Sequence, residues 1–178
     1  MKNEYSLKLH RFLNRLLEPV LIVAIVVLVL VVLWQVFSRY VLQAPSTATD
    51  EIARFLLMWL TLLGAAWVVG QRAHLAIDLL SDKLSLNKAV KLQRLLVVLI
   101  ALFALSVMLV GGISLVDITL TLEQSSTVLQ VPMGYVYIAL PVSGVFMLGF
   151  CICAFIEAKE LLEQARKAHM IDNSQGDN

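Results

Sequence analysis

Four charged side chains lie between two long apolar stretches, in residues 39–59, RYVLQAPSTATDEIARFLLMW. They are Arg39, Asp50, Glu51 and Arg54. Asp50 and Glu51 fall in the predicted first turn of a helix, where the helix dipole favours carboxylates. Arg54 follows them by four and three residues, so either carboxylate can pair with it. The start of a helix explains most of this cluster, and a contact with a second protein is the alternative.

A stripe of polar and small residues continues from this turn along the predicted helix. Residues three or four apart share a helix face, and this face carries Glu51, Arg54, Met58, Thr61 and Ala65. In lipid, small residues let backbones approach closely, and polar residues gain by facing protein. Together with Arg39 and Asp50, the stripe is a candidate subunit-interface or docking surface. The sequence does not decide whether it faces its own bundle or a partner.

The histidines and cysteines do not form a pattern typical of a metal or haem site. His74 and Asp78 are four residues apart, which predicts a structural pair, because zinc sites need at least three protein ligands. Cys151 and Cys153 point about 200° apart on a helix, which argues against a disulfide. No histidine falls within a long apolar stretch, and nucleophile-elbow, HExxH and P-loop motifs are missing. We therefore predict no catalytic, cofactor or metal site, and a protein that is not an enzyme.

Composition sets the class of protein. The 178-residue chain is 60% hydrophobic, with a mean hydropathy of +0.84, whereas soluble domains are roughly 45–50% apolar. A helix needs about 20 apolar residues to cross a bilayer. Four segments satisfy this requirement, residues 20–37, 52–69, 95–116 and 133–156. The prediction is an all-α integral membrane protein with one four-helix membrane domain, residues 19–156, whose fourth helix is kinked by Pro141.

The basic residues predict the orientation. Of the 14 lysines and arginines, all but Arg39 and Arg54 lie before the first span, between the second and third, or after the fourth. By the positive-inside rule, both termini are therefore cytoplasmic. The net charge of +1 gives no reason to expect a nucleic-acid partner.

Other segments are predicted to lie at the membrane surface. Residues 1–18 are predicted to form an amphipathic interfacial helix, because SLKLHRFLNRLLEP, residues 6–19, has apolar and basic side chains on opposite faces. Pro19 then allows a bend into the first span. A weaker amphipathic pattern covers 75–84, and residues 157–178 form a polar cytoplasmic tail.

Aromatic residues are predicted to anchor the helices at the membrane interface, where tryptophan and tyrosine are enriched. They are Trp34, Tyr40, Trp59 and Trp67. Packing is the alternative role for the two in the second span. Arg39 either belongs to the same belt or makes a polar contact with the carboxylates at positions 50 and 51.

Several segments in a fixed order resemble a known family, the small DctQ-type membrane subunit of tripartite ATP-independent periplasmic (TRAP) transporters. The segments are WQVFSRYVLQAP, DEIARFLLMWLTLLGAAW, RAHLAID and PMGYVYIALPVSG. The resemblance covers about Glu18 to Phe155. It departs from the family at Ala48, where a tryptophan is frequent, and at Asp50, where the family often has glutamate.

This resemblance implies a function and partners. In such transporters a soluble periplasmic protein captures an organic acid, and a large multi-span subunit carries it inward with sodium ions. The small subunit binds the large one as a scaffold and does not itself carry substrate. The chain is then expected in a bacterial inner membrane, in contact with lipid, with the large subunit and transiently with the binding protein.

Two other functions remain as alternatives. A small homo-oligomeric carrier or channel would need ionisable residues in mid-membrane, and the four predicted spans have none near their centres. A membrane anchor of a redox complex would be expected to carry histidines that ligate haem within its spans.

Overall fold

A computed structural model of the chain describes residues 2–44, 46–81 and 86–156, with side-chain surroundings for 7–44, 46–71 and 91–156. The helices are α1 (Lys2–Tyr40), α2 (Thr47–Ser81), α3 (Leu86–Phe103), a π-helix (Ala104–Gly111), α4 (Gly112–Thr121), α5 (Met133–Tyr137) and α6 (139–156). The predicted tail at 157–178 lies outside the described residues.

Four helical stretches are long and apolar enough to cross a membrane, which confirms the predicted class of fold. They are Leu7–Tyr40, Thr47–Gln71, Lys91–Thr121 and Met133–Ile156. Each contains one predicted span. The first three extend beyond the predicted limits because the helices continue into their polar flanks, where propagating an existing helix costs little.

The helix α1 continues through Pro19, so residues 2–18 belong to the same helix as the first span. Leu17 and Leu21, on either side of the proline, are both buried in one apolar cluster with Phe150. This packing holds the helix together where Pro19 cannot donate a backbone hydrogen bond. The location of the first 18 residues at the membrane interface stays a prediction.

The predicted amphipathic face of this segment packs in part against the protein itself. Leu13 contacts the first apolar cluster, while Phe12 and Leu16 are exposed. The His10 ring lies edge-on to Phe150, with centroids 5.5 Å apart, and its Nε2 is 3.4 Å from the Gly70 carbonyl oxygen. The second amphipathic pattern, at 75–84, continues α2 up to Ser81, and its side chains lie outside the described part of the chain.

The fourth span is the centre of the bundle. In the most apolar 18-residue segment of the fourth span 44% of the residues are buried, whereas in that of the first span 6% are buried. Three buried clusters each include residues of α6. Phe150 joins it to α1 and α2, Met147 joins it to α2 and the π-helix, and Cys151 joins it to α3. The other helices therefore pack around the fourth span.

Glycines allow the closest approaches to this central span. A Cβ atom added at Gly70 would lie 2.5 Å from the ring of Phe150, and one at Gly144 would lie 2.9 Å from Cβ of Met108. In lipid, helices associate through such close contacts. Burying leucine against another helix gains little there, because lipid hydrocarbon solvates leucine equally well.

The fourth span is interrupted near the predicted kink. The break falls at Ile138, three residues before Pro141. Proline has no N–H to donate to the carbonyl of residue i−4, here Tyr137, and its ring crowds that carbonyl. The helix resumes with a hydrogen bond from Val142 N to Ile138 O (3.1 Å). Pro141 packs on Gly112, directly after the π-helix, so the two irregular helices meet at the same level.

The contact between Gly70 and Phe150 predicts unequal effects of one substitution at two positions. Gly70→Ala should lower the thermal unfolding midpoint of the purified protein in detergent, because the buried ring has no room for the methyl group. Overpacking costs about 1–3 kcal/mol, more than the gain of about 1 kcal/mol in helix propensity. Gly64→Ala is the matched control on the same helix, where an added Cβ meets nothing within 4 Å. Equal midpoints for the two variants would contradict the packing described.

Candidate functional site

The connection between the first two spans is held by neutral hydrogen bonds. Gln35 Nε2 donates to the carbonyl of Thr49 (2.8 Å), and Ser38 Oγ donates to the carbonyl of Ala44 (2.5 Å). Gln43 takes the left-handed conformation, with φ 52°, and Thr49 Oγ1 donates to the carbonyl of Ser46 (2.9 Å). The bonds described in this connection are thus made by neutral groups.

Glu51 reaches from near the start of α2, just after the first turn, to the connection between the third and fourth spans. Its Oε2 accepts hydrogen bonds from the backbone N–H of Leu129 (2.8 Å) and Val128 (3.3 Å). Its Oε1 accepts one from Thr127 Oγ1 at 3.5 Å. A carboxylate that accepts backbone N–H groups forms charge-assisted bonds, which are stronger than neutral ones. Glu51 therefore joins two distant segments of the chain.

The receiving connection, residues 122–132, is a tight reversal of the chain. Ser126 N donates to the carbonyl of Val131 (2.9 Å), and Met133 N donates to the carbonyl of Gln124 (2.8 Å). Positive φ angles at Glu123 (50°) and Gln130 (55°) turn the backbone at its two ends. The N–H groups at its tip need an acceptor, and Glu51 supplies it.

Sequence reasoning missed the role of this connection. Its residues, EQSSTVLQVP from 123 to 132, include no lysine or arginine. It was also predicted to lie on the same side of the membrane as Glu51. The backbone N–H donors of this connection and the carboxylate of Glu51, both expected on one side of the membrane, are a signal that could have suggested the contact.

Arg54 does not make the predicted pair. Within the part of the chain whose side chains are described, no carboxylate lies at ion-pair distance from it, although Asp50 and Glu51 precede it by one helical turn. Glu51 bonds to the loop instead, and Arg54 is exposed, where an ion pair gains little over hydration. Arg39 is exposed as well, and within the described side chains no carboxylate lies at ion-pair distance from it.

The four charged residues of the cluster line two separate crevices, one on either side of the start of α2. One, of about 300 Å³, is lined by Arg39, Asp50 and residues of α1. The other, of about 630 Å³, is lined by Glu51, Arg54 and Met58, and by part of the connection that Glu51 holds. An exposed guanidinium at the edge of an open, mixed crevice is suited to a carboxylate or carbonyl oxygen of another protein.

The lower part of the predicted stripe faces away from the chain's own bundle. Thr61 and Ala65 are exposed, whereas their neighbour Ala66 is completely buried. The Thr61 hydroxyl donates to the carbonyl of Met58 (3.0 Å), so its polar group is already satisfied. Thr61 and Ala65 therefore lie on the outer surface of the bundle, whereas Glu51, at the other end of the stripe, bonds to the chain's own connection.

The four aromatic residues predicted as anchors differ in their surroundings. Trp34 and Tyr40 are exposed, and the ring centroids of Trp34 and Phe37 are 5.9 Å apart. Trp59 and Trp67 instead pack against the apolar cluster around Phe150. The second pair therefore has the packing role that was the alternative. His74 and Asp78 lie on α2, and their side chains are outside the described residues.

Comparison with known proteins supplies the context for this arrangement. The sequence profile of the DctQ component of tripartite ATP-independent periplasmic transporters matches residues 28–160. The chain is 28% identical over 139 residues to the sialic acid TRAP transporter small permease protein SiaQ of Vibrio cholerae, covering 78% of this chain and 79% of that one. It is 25% identical over 132 residues to the isethionate TRAP transporter permease protein DctMQ of Oleidesulfovibrio alaskensis, covering 71% of this chain and 21% of that protein.

The hydrogen bonds of Glu51 predict a local effect of its removal. Glu51→Ala should increase hydrogen exchange at the amides of Val128 and Leu129 by about tenfold, because these amides lose their acceptor. Asp50→Ala is the matched control, since Asp50 is exposed and adjacent in sequence. Mass-spectrometric exchange on the detergent-solubilised protein would resolve the peptide that covers 122–132. Unchanged protection in Glu51→Ala would show that the carboxylate does not hold this connection.

Proposed function

The chain belongs to the DctQ family of tripartite ATP-independent periplasmic transporter components, and we propose that it is the small accessory subunit of a sodium-driven importer of an organic acid. In this proposal the chain stabilises the large multi-span transport subunit and does not itself carry the substrate. The family match over residues 28–160 is the observation that carries the proposal.

The chemistry of the interior supports a role without substrate. The buried polar residues in the described ranges are all neutral: Ser38, Gln93, Thr119, Ser126 and Ser143. A path for an anion or a coupled cation through the membrane needs charged or coordinating groups along its wall. A scaffold needs only close packing inside and apolar surface outside.

The relative from Oleidesulfovibrio alaskensis supports a large partner. This chain corresponds to 21% of the length of that permease protein, so there the matching segment is part of a much longer polypeptide. A separate chain of the same type is then expected to assemble with a separate large subunit. The exposed first span and the outward stripe at Thr61 and Ala65 offer surface for such an assembly.

The names of the relatives support an acidic substrate. Sialic acid and isethionate, named for the two related proteins, are both organic anions. Within the organic anions we propose a carboxylate or acidic sugar, as sialic acid is, whereas isethionate is a sulfonate.

The proposed location is a bacterial inner membrane, with both termini in the cytoplasm. The distribution of lysine and arginine supports this orientation. The two crevices beside the start of α2 then open at the periplasmic end. There we propose that Arg54 contacts the large subunit or the docking binding protein, while Glu51 positions the wall of its crevice.

Reconstitution tests the proposed division of labour. Vesicles that contain this chain together with its proposed large subunit should take up the organic acid when binding protein and an inward sodium gradient are present. Vesicles that contain this chain alone should take up none, and co-purification should recover both subunits in one complex. Sodium-coupled uptake by the chain alone would overturn the accessory role.

The position of Arg54 predicts a charge-specific effect. Arg54→Glu should reduce uptake by the reconstituted complex by at least about fivefold, because charge reversal repels an acidic contact on the partner. Arg54→Lys keeps the charge and should retain most of the activity. Equal uptake and equal recovery of the complex with Arg54→Glu would remove Arg54 from the proposed contact.

A further inference from the structure

A shallow apolar groove lies between α3 and α6, away from the site described above. Its volume is about 220 Å³, and its walls include Val97, Ala101, Cys151 and Phe155. Apart from the Cys151 thiol, these walls are hydrocarbon, and the groove is open to the outside of the bundle. Its shape is suited to an apolar chain that lies along the helices.

A cation is located at one end of the groove. Arg94 lies three, four and seven residues before Val97, Val98 and Ala101, so the four positions share one face of α3. Its guanidinium carbon is 5.7 Å from the ring centre of Phe155, which lines the groove on the opposite helix. Lys91, one turn earlier, is exposed. The groove is thus apolar along its length and positively charged at its end.

The guanidinium has an unused donor. Nε of Arg94 is shielded from solvent and has no hydrogen-bond partner, although a buried donor normally has one. No carboxylate in the described ranges lies at ion-pair distance from it. The Phe155 ring covers a face of the guanidinium but cannot satisfy the N–H groups at its edge. Within the described residues this donor lacks an acceptor, and an oxygen ligand would complete the site.

The geometry points to a phospholipid: we propose that one acyl chain lies in this groove and that Arg94 binds the lipid phosphate. Guanidinium groups form paired hydrogen bonds with phosphate oxygens, and basic residues between membrane helices bind lipid headgroups. The distance from Arg94 to Ala101 along the helix is about 10 Å, which fits within one leaflet of a hydrocarbon core about 30 Å thick. Lys91 adds a second positive charge at the headgroup.

A second groove shows why the charge matters. The groove between α1 and α2, of about 460 Å³, is lined by Pro19, Ala24, Trp59, Leu63 and other apolar residues, with no charged residue in its lining. It is larger than the groove beside Arg94, whose own lining is likewise uncharged, and the difference is the arginine that lies against the Phe155 ring. The two grooves therefore predict different dependence on the lipid headgroup.

Native mass spectrometry of the full-length chain in detergent tests the site. The wild-type protein should bind one short-chain phosphatidylglycerol, and Arg94→Gln should weaken this binding by about tenfold, since a charge-assisted contact is lost. Ala101→Leu, which fills the groove, should weaken it to a similar degree. Arg15→Gln, an exposed arginine on α1, and Ala24→Leu, in the uncharged groove, are the matched controls and should bind as the wild type does.

Two further ligands separate the contributions of phosphate and acyl chain. Diacylglycerol with the same acyl chains and inorganic phosphate should each bind at least about tenfold more weakly than the phospholipid. Equal binding of either ligand would overturn the proposal, as would wild-type affinity in Arg94→Gln. Should Arg94→Gln not fold, Ala101→Leu and the comparison of ligands on the wild-type protein still decide the question.

Discussion

Close packing around the fourth span is the constraint on which this bundle depends. Between helices in a bilayer the hydrophobic effect supplies little attraction, because lipid chains solvate apolar side chains as well as protein does. The helices are held instead where backbones come near enough for dense van der Waals contact. Phe150 against Gly70 and Met108 against Gly144 are such places, and both involve the fourth span. The first span packs on this centre through Leu17 and Leu21 and leaves most of its apolar surface outside.

A second constraint acts on the backbone where the helices stop. Polar groups without partners are costly in hydrocarbon, so the connections must satisfy their own hydrogen bonds or lie at the membrane surface. Side chains close two of these connections. Gln35 and Ser38 close the one before α2. Glu51 closes the one before α5. Within the spans, the break at Ile138 and the π-helix lie beside each other, where Pro141 packs against Gly112. One face of the π-helix, with Ala104 and Met108, is thus buried in the bundle, while Leu105, Val107 and Val110 are exposed.

These constraints agree with the chemistry expected of an accessory subunit. The described interior is packed and its polar residues are neutral, while charge is confined to the ends of the spans. The outward stripe at Thr61 and Ala65 and the crevice beside Arg54 lie on surfaces that the bundle does not use for itself. A family whose members are components of a larger transporter has use for such surfaces. Lipid, held in part by Arg94, would cover some of the remainder.

The amino-acid sequence alone determined the class of fold and the number of spans, because the thickness of hydrocarbon sets how long an apolar stretch must be, and that length can be counted. It also placed Glu51 and Arg54 in the first turns of α2. It did not show that Glu51 accepts hydrogen bonds from residues 127–129, which follow more than seventy positions later, or that Arg54 makes no pair with its neighbours. It likewise did not show that Trp59 and Trp67 pack against the apolar cluster around Phe150. Helical periodicity states which residues share a face, but what that face meets depends on how separate helices are rotated and offset, and only the tertiary structure decides that.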